Sequence, residues 1–432
     1  MSGILRILNR FNFNSKQYKT KNFKGVLSLL AGNTVSKIVL ILSGLILVKY
    51  YGPENYGVYT VFLSYIVILP ALSNLELNNI AIMQRDSKNV RNVFSAALLA
   101  SLCIITLLVG LVFLLKKTGI VQLELSEPLL ILCGIGGILT GWNLSQNALF
   151  TKYKLFRQMS ASLIIASVFS VVFQGIFYLM DWKENGLIYG WLIGLSAAFL
   201  YNFRVSKERW DKVNFAALKI SVRENINIVK YAYASTALNT LANNILPILI
   251  LIYFTKLEVG VYAMAIKVLA TPLDLLSKSV SKVFFQKAVS LYHHDKNSLN
   301  KLSKKVSFTG FFLVLGYVIL INTLGIYLLE FIFEGDEWIG LRTYILILTL
   351  WILARSFINP ISEIMVVINR NQYSLIFNVY LFVINLTAIY FGVLYDSFIV
   401  CLYIFSIFSS LGYFIQWLAV MWDLKKLAEN EG

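Results

Sequence analysis

One stretch, Glu258 to Lys287 (EVGVYAMAIKVLATPLDLLSKSVSKVFFQK), is apolar and long enough to cross a bilayer, yet carries Lys267, Asp274, Lys278 and Lys282. On a helix, positions i, i+7 and i+11 lie within about 20° of one another, so Lys267, Asp274 and Lys278 share one stripe with Lys282 to its side. Charges at membrane depth are costly and normally face a bundle interior or a water-filled path rather than lipid. The spacing therefore predicts one wall of a polar, cationically biased cavity. The chemistry suited to such a wall is non-covalent attraction of an anion.

Two further cations fall at similar depth. Counting about 1.5 Å per residue along each helix, Lys37 lies about 15 Å into the first apolar segment, Lys267 about 14 Å into its own, and Arg355 about 20 Å beyond Arg342. All three sit near the middle of a hydrocarbon layer ~30 Å thick. With Lys278 they are the candidate substrate-binding residues. Each also has a structural reading: Lys37 and Lys267 as partners of a neighbouring helix, and Arg355 as a cap on carbonyls freed around Asn359-Pro360. The intramembrane acids are fewer. Glu76 sits among Ser73, Asn74, Asn78 and Asn79, Asp274 precedes Lys278 by one turn, and Glu363 follows Arg355 by two. These three are candidates for proton or sodium coupling and, equally, for structural pairing. Asn239, Asn243 and Asn244 precede Pro247 in another apolar segment.

The elements that must position these residues are membrane helices. The chain of 432 residues is 58% hydrophobic and 14% charged, too apolar for a water-soluble domain, and apolar segments recur along its length. Twelve spans are expected, near 26–50, 57–84, 92–115, 128–151, 158–180, 185–203, 227–253, 258–286, 306–329, 341–369, 372–394 and 397–421. The net charge of +16 follows this topology. Lys and Arg crowd the N-terminal tail and alternate connections, whereas Glu330, Glu334, Asp336 and Glu337 mark the opposite side. The positive-inside bias places both termini in the cytoplasm, so the basic balance calls for no nucleic-acid partner. The expected organisation is a basic tail (1–25), a six-helix bundle (26–203), a cytoplasmic linker (204–226), a second six-helix bundle (227–421) and a short tail (422–432). Gly57-Val58-Tyr59 and Gly260-Val261-Tyr262 open equivalent spans of the two halves, a weak internal repeat in keeping with a site between related halves. Cys103, Cys133 and Cys401 lie inside apolar segments and form no disulfide framework or metal set. Phosphate-binding loops, dinucleotide fingerprints and metal-spaced clusters are absent, so neither an enzyme nor a cofactor is expected beyond a coupling H+ or Na+.

The segment Tyr50-Tyr51-Gly52-Pro53-Glu54-Asn55-Tyr56-Gly57-Val58-Tyr59 resembles the "yGpe.yGvy" stretch between the first two helices of Wzx-type polysaccharide flippases, members of the multidrug/oligosaccharidyl-lipid/polysaccharide (MOP) exporter superfamily. The likeness continues through Asn79-Ile80-Ala81-Ile82 and, more loosely, across all twelve spans. The resemblance implies an all-α, MATE-like 6+6 bundle in a bacterial inner membrane that works by alternating access. Its substrate would be an undecaprenyl-diphosphate-linked oligosaccharide, such as an O-antigen repeat unit, whose prenyl tail stays in membrane lipid. Members have cationic cavities that attract the diphosphate, and proton or sodium coupling is implied. A polysaccharide polymerase and chain-length proteins of the same pathway are the implied protein partners. Lys37, Lys267 and Arg355 fit the cationic role by type and depth. Two other readings stay open: a multidrug antiporter for organic cations, against which Lys37 on the first helix counts, and a peptidoglycan-precursor lipid flippase.

Overall fold

Hydrocarbon offers backbone amides no water to bond, so a chain this apolar satisfies them inside helices. In the computed structural model every regular element among the described residues is helical. Those residues are 21–119, 126–206, 210, 212–226, 228–333 and 338–429. The basic tail before residue 21 lies outside them, as do many side chains of the first span, including that of Lys37.

The first half comprises α1 (Lys21–Ser73), α2 (Leu77–Met83), α3 (Ser87–Lys117), α4 (Glu127–Lys152), α5 (Phe156–Leu179) and α6 (Gly186–Ser206). A short α7 (Phe215–Glu224) leads to the second half: α8 (Tyr233–Tyr253), α9 (Lys256–His294), α10 (Lys296–Leu320), α11 (Ile326–Ile332), α12 (Leu341–Ile358), α13 (Ile364–Val367), α14 (Asn371–Leu394) and α15 (Phe398–Glu429). Among the described residues eleven helices are long and apolar enough to span a membrane. The first expected span, 26–50, occupies the opening part of α1, which joins the second span at Gly52 (φ 78°, ψ 166°), a conformation that suits glycine.

Two expected spans are interrupted. The span expected over 57–84 is not continuous: it stops at Ser73, passes through Leu75 (φ 50°) and Glu76 (φ 59°), and restarts as α2. Local side chains compete for the backbone there. Ser73 Oγ donates to the Pro70 carbonyl at 3.3 Å and the Asn74 side chain accepts from the Asn78 amide at 3.2 Å. The Tyr233 hydroxyl, from the other half, donates to the Leu72 carbonyl at 2.8 Å beside the break. The span expected over 341–369 likewise turns into a 3-10 segment at Asn359–Ile361, where Pro360 cannot continue the ladder.

The linker is structured and anchored to the first half. Asn214 caps α7 by accepting from the Ala217 amide at 3.1 Å, and Asn92 clasps the Asn214 backbone from both sides, at 3.1 and 2.7 Å. Trp210 stands edge-on to Phe94 and Phe203, with its Nε1 donating to Ser206 Oγ at 3.1 Å.

The halves meet chiefly where α1 packs against α8 and α9. The duplicated Gly-Val-Tyr lies at this seam. A Cβ on Gly57 would overlap the Lys256 carbonyl oxygen and stand 3.0 Å from the Gly260 amide nitrogen, and one on Gly260 would overlap the Pro53 carbonyl and stand 2.6 Å from its carbon. The two helices thus cross with backbone on backbone, which only glycine at both positions permits. Gly260→Val is expected to lower the apparent Tm of the purified protein, a destabilisation of about 1–3 kcal/mol. Gly110→Ala, where a Cβ meets nothing within 4 Å, should leave Tm unchanged or raise it. Equal Tm values for the two variants would rule out the crossing.

Candidate functional site

Beyond the glycine crossing, α1 and α9 separate two walls of a cavity of about 510 Å³. From the first half it is lined by Gly44, Tyr56, Tyr59, Thr60 and Ser64 of α1, Gln174 of α5 and Trp191 of α6; from the second, by Asn243, Asn244 and Pro247 of α8 and by Tyr262, Lys267, Asp274 and Lys278 of α9. The stripe read from the sequence is therefore the α9 wall of this cavity. Lys282 is exposed farther along the helix and does not line it.

Lys267 reaches across the seam. Its Nζ lies 5.4 Å from the centroid of the Tyr56 ring, within the range of a cation–π contact. Its end also abuts α1 at Gly44, where a Cβ would overlap Nζ and stand 3.0 Å from Cε. No carboxylate among the described residues pairs with Lys267 or with Lys278. Asp274 is different. One of its oxygens lies 3.0 Å from Arg355 Nη2, and the two side chains are 33% and 18% exposed. Arg355 stacks over Trp351 at 5.2 Å. Its Nε, buried, has no hydrogen-bond partner.

The predicted residues thus divide. Lys267, Asp274 and Lys278 come together on the cavity wall. Arg355 stands behind Asp274, outside the lining, as the partner of a carboxylate rather than as a free cation or a cap on the Asn359-Pro360 carbonyls. Glu76 is buried at the α1–α2 break, bonded to the Asn79 amide, and Glu363 is exposed where α13 begins; neither lines the cavity. Lys37 has its side chain outside the described residues. Asn243 and Asn244 do line the cavity, each donating to the carbonyl one turn back, at 2.7 and 2.8 Å, which leaves their amide oxygens available. The sequence reading missed Tyr59, Trp191 and Gln174. Gln174 Nε2 donates to the Leu187 carbonyl at 2.9 Å, and Tyr59 meets Trp191 edge-on at 6.0 Å. Their only sequence signal is the presence of Tyr59 in the Tyr50–Tyr59 decamer.

Solved membrane-transporter structures share this helical fold. A multidrug resistance MATE family transporter of the MOP superfamily, in an inward-facing conformation, matches with a TM-score of 0.70 over 92% of this chain and 96% of its own, at 14% identity. The lipid II flippase MurJ, in an inward closed conformation, matches with a TM-score of 0.67 over 93% and 90%, at 16% identity. At these identities the likeness is one of fold. The chain itself belongs to the polysaccharide biosynthesis protein family, whose pattern matches residues 46–342. It is also similar to the capsular polysaccharide biosynthesis protein CapF of Staphylococcus aureus, 25% identical over 338 residues, covering 76% of this chain and 80% of that protein.

The Asp274–Arg355 pair yields a direct test. Arg355→Met leaves Asp274 uncompensated and is expected to lower Tm. Asp274→Asn in the same chain should restore part of the loss, with a coupling of about 1 kcal/mol, modest because both groups are partly hydrated. Strictly additive losses would mean that the pair contributes nothing.

Proposed function

We propose that this MOP-fold transporter of polysaccharide biosynthesis carries an undecaprenyl-diphosphate-linked oligosaccharide from the cytoplasmic to the outer leaflet of a bacterial inner membrane. The observation that carries the reading is Lys267, a cation without a carboxylate partner among the described residues, on the wall of a polar cavity between the two halves. Lys278 adds a second such charge on the same wall. In a medium of reduced dielectric these ammonium groups attract a diphosphate strongly and donate charge-assisted hydrogen bonds to it. A sugar-diphosphate head cannot cross hydrocarbon because its polar groups would lose their water without compensation. The cavity replaces that water with ammonium, hydroxyl and amide groups while the prenyl tail remains in lipid. In the orientation that the positive-inside bias favours, the glycine crossing lies at the outer end of the seam.

Asp274 is the carboxylate placed for ion coupling. It lines the cavity and is held by Arg355, so a proton or sodium ion at Asp274 would free the guanidinium. A polymerase and chain-length proteins acting on the delivered units are the protein partners in this reading.

The test is transbilayer movement of undecaprenyl-diphosphate oligosaccharide in proteoliposomes. Lys267→Ala and Lys278→Ala are each expected to slow it about tenfold, the loss of one charge-assisted hydrogen bond. Lys37→Ala tests the first span, and Asp274→Asn should remove dependence on a pH or sodium gradient. Transport of an organic cation in place of the lipid would establish the multidrug reading instead. Movement of lipid II alone would establish the peptidoglycan-precursor reading.

A further inference from the structure

Lys267 is both the cation offered to the substrate and a link between the two halves. Its backbone belongs to α9, while both surfaces its ammonium rests on, the Tyr56 ring and the backbone at Gly44, belong to α1. Tyr56 is 5% exposed and precedes Gly57, the residue of the backbone crossing. Lys267 follows Gly260 on α9 by about two turns. The contact thus lies about two turns from the backbone crossing on α9 and next to it on α1. Tyr56 sits on one side of the seam and Lys267 on the other, so separating α1 from α9 must break their contact.

From this geometry we infer that Tyr56 and Gly44 are positioning residues that park Lys267 across the seam, and that an anionic diphosphate entering the cavity releases this latch. The inference rests on the proposed function for the identity of the anion. An aromatic face holds an ammonium only through its quadrupole, whereas a diphosphate presents full negative charges and hydrogen-bond acceptors. An ammonium within reach of both turns to the diphosphate. Binding then removes the cation–π contact beside Gly57, and the crossing loses one of the interactions between halves that hold it. Substrate arrival and loosening of the crossing become one event, with no separate sensor. Gly44 contributes by absence: any side chain there occupies the space in which the ammonium rests.

The test reads the seam itself. In a chain carrying Cys103→Ser, the exposed residues Glu54 and Lys256, which flank the crossing on α1 and α9, are replaced by cysteine. Their cross-linking by a short bifunctional thiol reagent is then followed in proteoliposomes. The parent should cross-link efficiently, and undecaprenyl diphosphate should remove most of the product. Inorganic diphosphate serves as the lipid-free arm and distinguishes a free anion from a lipid headgroup as the releasing species. Without any ligand, Tyr56→Leu and Gly44→Ala should each lose most of the product, whereas Tyr56→Phe, which keeps the aromatic face, should match the parent. A merely structural tyrosine would not separate Phe from Leu in this way. If Tyr56→Leu and Gly44→Ala cross-link like the parent, the latch is overturned whatever the lipid does. If they lose the product but neither diphosphate affects the parent, the latch stands and the diphosphate reading of the substrate falls.

Discussion

Backbone contact between α1 and α9 at Gly57 and Gly260 governs the arrangement of the rest. Two helices bearing larger residues would stand farther apart, and the end of the seam would not close. Because the contact involves equivalent residues of the two halves, it brings related surfaces together in the manner of a two-fold interface. Elsewhere the halves pack mainly within themselves, α5 on α6 in the first and α15 on α12 and α14 in the second. The cavity is the part of the seam left open.

Polar groups inside the bundle fall into two kinds with different consequences. Many hydroxyls and amides bond the carbonyl one turn back on their own helix, as Ser101, Ser145, Asn244 and Thr349 do. Such bonds make a polar residue tolerable in hydrocarbon without choosing its neighbour. Others cross between helices and fix packing: Asn143 to the Leu195 carbonyl at 3.1 Å, Asn202 to Asn143 at 3.0 Å, Asn239 to Asn378 at 2.9 Å, and Asn385 to the Ala242 carbonyl at 2.6 Å. These stay within one half, which strengthens each half as a unit. Across the seam such specific contacts are fewer among the described residues: the glycine crossing, Lys267 on Tyr56, and the Tyr233 hydroxyl on the Leu72 carbonyl.

The charges divide along similar lines. The Asp274–Arg355 pair neutralises itself within the second half, stacked on Trp351. Lys267 has aromatic and backbone surfaces in place of a carboxylate, and those surfaces belong to the other half. A compensated pair suits a scaffold, whereas a cation held only by a quadrupole remains available to an incoming anion. That difference distinguishes Lys267 from Arg355, although helix geometry alone leads one to expect both at similar depth.

Much of this architecture was legible in the amino-acid order. A span reveals itself through about twenty consecutive apolar residues, a local property. The helical period likewise put Lys267, Asp274 and Lys278 on one face, and all three line the cavity. Partnership was not legible, because it depends on atoms brought together from distant positions. Nothing near Arg355 in sequence shows that Asp274 would claim it, or that Tyr56 and Gly44 would receive Lys267. The break after Ser73 was only half legible: Ser73, Asn74, Asn78 and Asn79 carry side chains that compete for the backbone, but the tyrosine that bonds the carbonyl beside it comes from the other half. Sequence alone indicated which segments are long and apolar enough to span a membrane and which residues of α9 share a face. The tertiary structure decided which charges are paired and which are free, since distances between helices are set by packing rather than by chain order.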